Sequence, residues 1–381
     1  MKKTIGLITY HSAYNYGSVL QAYATQVALR KLGYDSKIIN YRMINQKKYY
    51  QSLCRTSLGL RLFVIDFLLF PIAKQRKIRN EKFESFITKA LSLSDEANTA
   101  ADALEIMSSY DCVISGSDQI WNLHSNELDN QPFDAIRPYL LDGYDGGKIS
   151  YASSIGNMTK DELDQIIDCI RKFDAVSFRE NTSVKKISDL YGIFTTNVPD
   201  PTFLLSKKEW IESFGLQHED EGDYIFYYSL GGPKIQKRRA KELADFAYRL
   251  NLKVKMVTPF AYFNIDKDLV EIHPEYGPEE FLDSILNAKM VITDSYHGTI
   301  LSVNFNKDVY SLCGDGGSEF RKTDILRQLC MSDRIITSVG ELNRKEFSSV
   351  DYTAVNKKIE SFRQVGLEYL SHSINSAFGN F

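Results

Sequence analysis

The feature that most constrains this chain is an alternation of strand, loop, helix and strand that begins almost at once. "TIGLIT" is short and apolar, "YHSAYNYGS" is polar, "VLQAYATQVALRKLG" repeats apolar residues at helical spacing and stops at Gly33, and "DSKIINY" is apolar again. A strand buried on both faces carries a continuous apolar run, and a helix joining two such runs is the crossover of a parallel sheet. Glycine just past the last periodic residue is a helix stop. The alternation recurs. "YDCVISGSDQIW" places a strand at Cys112–Ser115 before a polar loop, and "GKISYASSIG" is another strand and loop. "DELDQIIDCIRKF" reads as an amphipathic helix, "AVSFRE" as a strand, "ENTSVKKISDLYG" as a helix and "VPDPTFLL" as an edge strand closing the first domain.

A polar, acidic stretch, "GLQHEDEGD" (215–223), reads as a linker, and a second alternating set follows it. Its strands are "YIFYYSL", "KVKMVTP", "MVITD" and "DVYSL". Its helices are "IQKRRAKELADFAYRLN", "GPEEFLDSILNAK" and "GTILSVNFN". The 381 residues suit two domains at roughly 100–200 residues each. The expectation is an α/β protein of two Rossmann-like domains facing across a cleft. The first spans 1–214 with a helical insertion at 45–90, the second spans 222–350, and a helix over 351–381 packs back. Ligands of such sheets sit outside the carboxyl ends of the strands. That directs attention to the loops near 10–18, 116–122, 153–157, 179–183, 229–234, 258–264 and 294–299.

Several functions are excluded or lack a signal. There is no GxxxxGK[ST] loop, no GxGxxG after the first strand, no HExxH and no GxSxG elbow. The six histidines are too dispersed for a local metal cluster, so no metal is expected. "DKD" (Asp266–Asp268) resembles the short acidic motif of metal-dependent glycosyltransferases, but short motifs match by chance. A net charge of -3 offers no global field for nucleic acid. The 23 Tyr and 22 Phe are compatible with a sugar-handling surface. Five scattered cysteines without a CxxC pair read as free thiols of a reducing compartment. The amino terminus lacks the long apolar core of a secretory signal, so a cytoplasmic protein is expected. The segment "LGLRLFVIDFLLFPIA" (58–73), interrupted by Arg61 and Asp66 and flanked by lysines and arginines, falls short of the ~20 apolar residues a spanning helix needs. It reads either as a buried helix followed by a solvated basic one or, through 58–82, as a peripheral contact with an anionic membrane face.

Four stretches carry chemistry-bearing residues into loops after strands. In "NYGSVLQ", Asn15, Tyr16, Gly17, Ser18 and Gln21 surround a helix start whose free N–H groups favour an anion, or Ser18 simply caps the helix. In "SGSDQIWN", Ser117 and its small neighbours let backbone approach a ligand, Asp118 and Asn122 can hydrogen-bond hydroxyls, and Trp121 can stack on a sugar face or be buried. In "SFRENTS", Arg179 leaves a strand toward the cleft or pairs with Glu180. In "ITDSYHGTILSV", His297 follows a strand and opens a helix.

Taken in order, "NYGSVLQAYA", "ISGSDQIWN", "ASSIG", "SFREN", "PDPTFLL" and "ITDSYHGTILS" resemble the polysaccharide pyruvyl transferase family over nearly the whole chain. The resemblance implies a glycosyltransferase-B-like fold. It also implies transfer of the enolpyruvyl unit of phosphoenolpyruvate onto two sugar hydroxyls, giving a pyruvate ketal and phosphate. The glycan belongs to a capsule, exopolysaccharide or cell wall and is expected to be lipid-linked at the inner membrane face. Phosphoenolpyruvate is a substrate, and no cofactor is implied. Protonating its methylene carbon needs an acid that titrates near neutrality, for which histidine suits, and arginines and helix N-termini can hold its phosphate.

By the family's pattern His297 is the acid or a phosphate ligand. Arg179, Ser295, Tyr296, Gly298, Thr299 and Arg321 make up the donor side, Asn15, Tyr16, Gly17, Ser18, Gln21, Ser117, Trp121 and Asn122 the acceptor side, and Asp118 or Glu180 the base. Many members carry Arg two residues before this histidine. Here Ser295 stands there; Arg179 remains, and Arg321 or Lys322 can supply the other charge from a neighbouring loop. Two alternatives stay open. One is a nucleotide-sugar glycosyltransferase using "SLGGPK" (Ser229–Lys234) for a diphosphate. The other is a glycan-binding protein on a scaffold that has lost catalysis.

Overall fold

The computed structural model describes residues 3–50, 70–124, 132–217, 222–258, 270–314, 319–344 and 348–379. The "DKD" motif and most of the apolar segment 58–73 lie outside them. The chain divides into two compact units. The first comprises Met1–Gln51, Glu84–Leu205 and Glu360–Phe381, and the second Ser52–Phe83 and Ser206–Ile359.

The first unit holds a parallel sheet of β1 (Ile5–Ile8), β2 (Ser36–Tyr41), β3 (Leu93–Ala97), β4 (Cys112–Ser115) and β5 (Gly147–Ser150), in the order β3-β2-β1-β4-β5. Ile5 pairs with Ser36 on one side and Cys112 on the other. β1 and β4 are buried at every residue, which is why they read as continuous apolar runs. β3, "LSDEA", is an edge strand exposed over its middle, and its polar composition hides it from a hydrophobic pattern. β6 (Ser177–Phe178) and β7 (Thr196–Asn197) make a separate two-stranded parallel pair, so "AVSFRE" supplies a strand outside the main sheet. "DELDQIIDCIRKF" is broken into two short helices, Lys160–Leu163 and Ile167–Ile170. "VPDPTFLL" is not a strand: Asp200 caps a 3-10 turn at Pro201–Leu204, its carboxylate accepting from the Thr202 N–H.

The second unit repeats the plan with β8 (Tyr224–Tyr228), β9 (Lys253–Val257), β10 (Val270–Ile272), β11 (Met290–Thr293), β12 (Asp308–Leu312) and β13 (Ile335–Ile336), in the order β10-β9-β8-β11-β12-β13. All of its pairings are parallel. The long final helix, Tyr352–Gly379, lies from Glu360 onward against the first unit. There Arg363 Nε donates to the Phe203 carbonyl at 2.9 Å and Tyr369 OH to the Ser150 carbonyl at 2.9 Å.

In each sheet the strand order reverses beside the first strand, between β1 and β4 and between β8 and β11. A parallel sheet opens its ligand crevice at such a reversal, outside the carboxyl ends of the strands. The second reversal needs a close helix approach at Gly298, where a Cβ would stand 2.6 Å from Thr293 Oγ1 and 3.2 Å from the Tyr228 ring. Thr293 cannot retreat freely, because its hydroxyl donates to the Tyr228 carbonyl at 2.7 Å. Gly298→Ala is therefore expected to destabilise the protein by about 1–3 kcal/mol through overpacking, read as a lowered urea midpoint. An unchanged midpoint would show that the helix can shift.

Candidate active site

At the second unit's reversal, Asp294 follows β11 and Ser229 follows β8. Ser229 Oγ donates to Asp294 Oδ2 at 2.7 Å and the Leu230 N–H to Oδ1 at 2.7 Å. Arg239, buried on helix Pro233–Leu250, donates to the same carboxylate at 2.5 Å and to Ser229 Oγ at 3.3 Å. Below them burial pushes the Tyr227 phenol up to about 12, so it stays protonated. On the other side of Asp294, buried Lys322 donates from Nζ to the Asp294 carbonyl at 2.8 Å and to the Leu312 carbonyl at the end of β12. The loops after three neighbouring strands are thus tied to one another.

Helix Tyr296–Asn304 starts in this cluster. Ser295 is its N-cap, the hydroxyl oxygen accepting from the Gly298 N–H at 3.2 Å. His297 is 8% exposed, and its ring stands edge-on to Tyr296, with centroids 5.3 Å apart. The buried Arg321 guanidinium lies over the Tyr296 ring at 5.5 Å. Arg321 thus lies beside Tyr296, while Arg239 and Lys322 both hold Asp294, the residue before Ser295. Thr299, fully buried, bonds the Ser295 carbonyl and Ser311. Thr299 and Gly298 set the helix against the sheet, and neither presents a group to a donor.

The first unit's reversal is held by hydroxyl, amide and carboxylate groups. Asn15, not Ser18, caps helix Tyr16–Lys31, accepting from the Gly17 N–H at 2.9 Å. That bond uses one of the N–H groups expected to meet an anion. Ser18 Oγ instead donates to Asp118 Oδ2 at 2.7 Å. Gln21 ties the two loops, donating to Thr9 Oγ1 at 2.7 Å and accepting from the Ser117 N–H at 3.2 Å. Tyr16 is buried in the core. Asn122 Nδ2 donates to Gln119 Oε1 at 2.8 Å, and its own Oδ1 accepts from the His124 N–H. Asp118 sits at φ 76°, a conformation uncommon outside glycine, asparagine and aspartate. Its carboxylate accepts from Ser18, the Gln119 N–H and Arg179.

Two expectations are corrected here. Trp121 is 0% exposed, donates its indole N–H to the Tyr139 carbonyl at 2.9 Å and packs edge-on against Phe173 and Phe178. Its faces are covered by core and no sugar can stack on them. Arg179 does not reach out to a donor. Its fully buried side chain bonds Asp118 at 3.2 Å, Glu180 at 3.1 Å and Asp200 at 2.8 Å, all within the first unit. The same contacts engage both carboxylates considered as bases, Asp118 and Glu180.

The sequence reading missed Asp294, Arg239 and His11, and considered Ser229 only as part of a diphosphate loop. Asp294 had a signal, since it is the first residue past an apolar strand at the reversal. His11, just after β1, is fully buried, with Nε2 at 3.0 Å from Asn40 Oδ1 and Nδ1 at 3.2 Å from the Thr9 carbonyl. The chain of contacts continues from Asn40 to Arg42, which grips both oxygens of Glu84 at 2.9 Å, and to Tyr14, which donates to Glu84 at 2.7 Å. Burial is the main cause that lowers His11 to about 4, against the partial support of Asn40.

Comparison with known proteins agrees with this architecture. The family model for polysaccharide pyruvyl transferase matches residues 15–312, well over half of the chain, and the chain belongs to that family. It is a transferase of the pyruvyl-transferring class that acts on polysaccharide. No curated protein matches it. Among solved structures, the UDP-GlcNAc 2-epimerase from Methanocaldococcus jannaschii superposes with a TM-score of 0.51 at 10% identity, covering 94% of this chain and 92% of that one. The glycosyltransferase SnogD from Streptomyces nogalater gives 0.42 at 12% identity, covering 99% and 100%. The epimerase likeness concerns the fold alone, which is the α/β, glycosyltransferase-B-like class with two parallel sheets.

Two outcomes are expected. Removing the Asp294 carboxylate strands Arg239 in a buried site, so Asp294→Ala is expected to cost about 3–5 kcal/mol, and adding Arg239→Met should recover part of it in a double-mutant cycle. Additive losses would mean that the two groups do not couple. His11 is held neutral when folded but binds a proton near the ordinary 6.5 when unfolded. The unfolded state therefore binds more protons between those values. Stability is fully present above pH ~6.5 and is lost as pH falls toward ~4, by up to about 3 kcal/mol. His11→Gln should flatten that part of the stability-versus-pH curve, and an unaltered slope would remove His11 as its source.

Proposed function

We propose that the protein transfers the enolpyruvyl unit of phosphoenolpyruvate onto two hydroxyls of one sugar in a lipid-linked glycan, forming a pyruvate ketal and releasing phosphate during capsule or exopolysaccharide synthesis. The observation that carries the proposal is that Arg321 lies over the Tyr296 ring and Lys322 holds the Asp294 carbonyl, beside the helix start that carries His297. Phosphoenolpyruvate brings a phosphate and a carboxylate. Cations at the start of this helix supply what Ser295, standing where relatives carry arginine, does not. Lys322 takes that role most directly, since its ammonium touches the carbonyl immediately before Ser295.

In this reading His297 gives a proton to the methylene carbon, which becomes the methyl group. One sugar hydroxyl then attacks the adjacent, electron-poor carbon. A second hydroxyl attacks the same carbon as the bond to phosphate breaks. Two carbon–oxygen bonds form and one breaks. Of the two hydroxyl protons, one restores His297 and the other leaves with phosphate. Arginine and lysine stabilise the departing charge as hydrogen-bonded counter-charges. The acceptor is assigned to the first unit's loops around Ser18, Ser117 and Asp118. Asp118, already accepting from three donors, acts there as an anchor for the loops and not as the base. The use of "SLGGPK" as a diphosphate cradle is disfavoured, because the N–H groups of Leu230 and Gly231 are given to Asp294 and Ser229.

The test is incubation with phosphoenolpyruvate and a lipid-linked oligosaccharide, with phosphate release and product mass followed together. Loss of the proton donor in His297→Ala should lower turnover by about 100-fold or more. Lys322→Met should raise the KM for phosphoenolpyruvate by about tenfold or more, as expected for a lost charge-assisted hydrogen bond. Full turnover in His297→Ala overturns the acid assignment. Thermal stabilisation by UDP or GDP but not by phosphoenolpyruvate overturns the donor.

A further inference from the structure

The first unit ends on an open strand edge. β6 lies beside β5, where the Ser150 and Ser153 N–H groups donate to the Ala175 and Ser177 carbonyls at 2.9 and 3.2 Å. β7 pairs with β6 and is the outermost strand on that side. Thr196 and Val198 turn their N–H groups inward, donating to the Val176 and Phe178 carbonyls at 3.0 Å each. Backbone groups alternate in direction along a strand, so Thr195 and Asn197 turn theirs outward. Neither of those two N–H groups donates to any of the described residues.

Two further observations fall on the same segment. Thr195 is 8% exposed, and its hydroxyl meets no partner among the described residues. A buried hydroxyl left unpaired costs free energy. Phe194, one residue earlier, is 90% exposed, and no other large apolar side chain among the described residues is more so. Edge strands are ordinarily protected from pairing by charge, proline or a covering element. β3, outermost on the opposite side of the unit, follows that rule with exposed Asp95 and Glu96. The segment 192–198, "GIFTTNV", carries no charge at all.

We propose that this edge pairs with the same edge of a second copy of the chain, antiparallel about a two-fold axis at Thr196. Self-complementarity favours a second copy over another extended segment. With the axis there, Thr195 of each copy faces Asn197 of the other, and each pair exchanges both N–H···O bonds as an antiparallel ladder does. The outward N–H groups thereby find acceptors. The same axis sets Thr196 against Thr196 and Phe194 against Val198, and no like charges meet along the contact. The contact is short, which suits a dimer forming at micromolar concentration. It uses no residue of the candidate active site and does not depend on the transferase reading.

The test is sedimentation velocity of the full chain between about 1 and 100 µM. A concentration-dependent monomer–dimer equilibrium is expected. Thr196 is half-buried, and Thr196→Lys sets two like charges opposite each other at the axis. It should weaken the dimer by about tenfold or more, and Thr196→Glu should do the same. An equimolar mixture of the two variants should recover the dimer, because opposite charges then face each other. Phe194→Ala should also weaken it, and it tests the surface even where a charge at position 196 disturbs the fold. Tyr248→Ala, which removes an exposed ring of the second unit, should leave the equilibrium unchanged. A chain that stays monomeric over the whole range overturns the proposal. So does a dimer indifferent to both Thr196→Lys and Phe194→Ala, which places the contact elsewhere. A mixture of folded variants that fails to dimerise removes the two-fold register and with it the second copy as partner.

Discussion

The second unit depends on one carboxylate. Asp294 sits where β11 ends, and its two oxygens collect the hydroxyl of Ser229, the N–H of Leu230 and the guanidinium of Arg239. Its own carbonyl is taken by Lys322. A largely enclosed carboxylate is tolerable only when matched and hydrogen-bonded, and this one is matched by Arg239 and hydrogen-bonded by Ser229 and Leu230. The loop after β8, the start of helix Tyr296–Asn304 and the end of β12 are positioned by that one residue. The close seat of Gly298 on Thr293 and the capping of the helix by Ser295 follow from the same arrangement.

The first unit solves the same problem with the signs exchanged. There a single buried guanidinium, Arg179, is the hub, and Asp118, Glu180 and Asp200 converge on it. Asp118 passes the order on to the helix at Tyr16 through Ser18, and Asp200 passes it to the turn at Pro201 through Thr202. The two switch points therefore differ in character. The cations at the second unit's crevice stand next to a helix start and suit an anionic ligand. The first unit's crevice is lined by hydroxyls, amides and an anchored carboxylate, groups that suit the hydroxyls of a sugar.

The fold was legible because burial on both faces leaves a continuous apolar run, which "IGLI", "CVIS", "YIFYY" and "MVIT" all display. β3 and β10 escaped because edge strands need not be apolar. Site residues were harder to read because sequence gives a loop but not the direction of a side chain within it. Trp121 and Arg179 occur in the right loops and turn inward. Ser18 occupies a position where it could have capped a helix, yet Asn15 three residues earlier does so and frees the hydroxyl for Asp118. His11 gave no signal, because a neutral buried histidine is defined by partners far away in the sequence, such as Asn40.

The serine at position 295 makes sense on these grounds. An arginine there would project its charge from the N-cap of helix Tyr296–Asn304, but it could not accept the Gly298 N–H that Ser295 Oγ takes. In the proposed reading, taking the cation from Lys322 separates the two tasks. The cap stays a small hydroxyl, which suits the tight contact of Gly298 with the sheet, and the charge arrives from helix Glu319–Gln328. Lysine is a compact point charge on a flexible stem and, unlike arginine, grips no anion in a fixed fork. Lys322 is instead directed by two strand-end carbonyls. In the proposed reading, a phosphate entering beside His297 would compete with those carbonyls for the ammonium, and its affinity would depend on how readily Lys322 leaves Leu312 and Asp294.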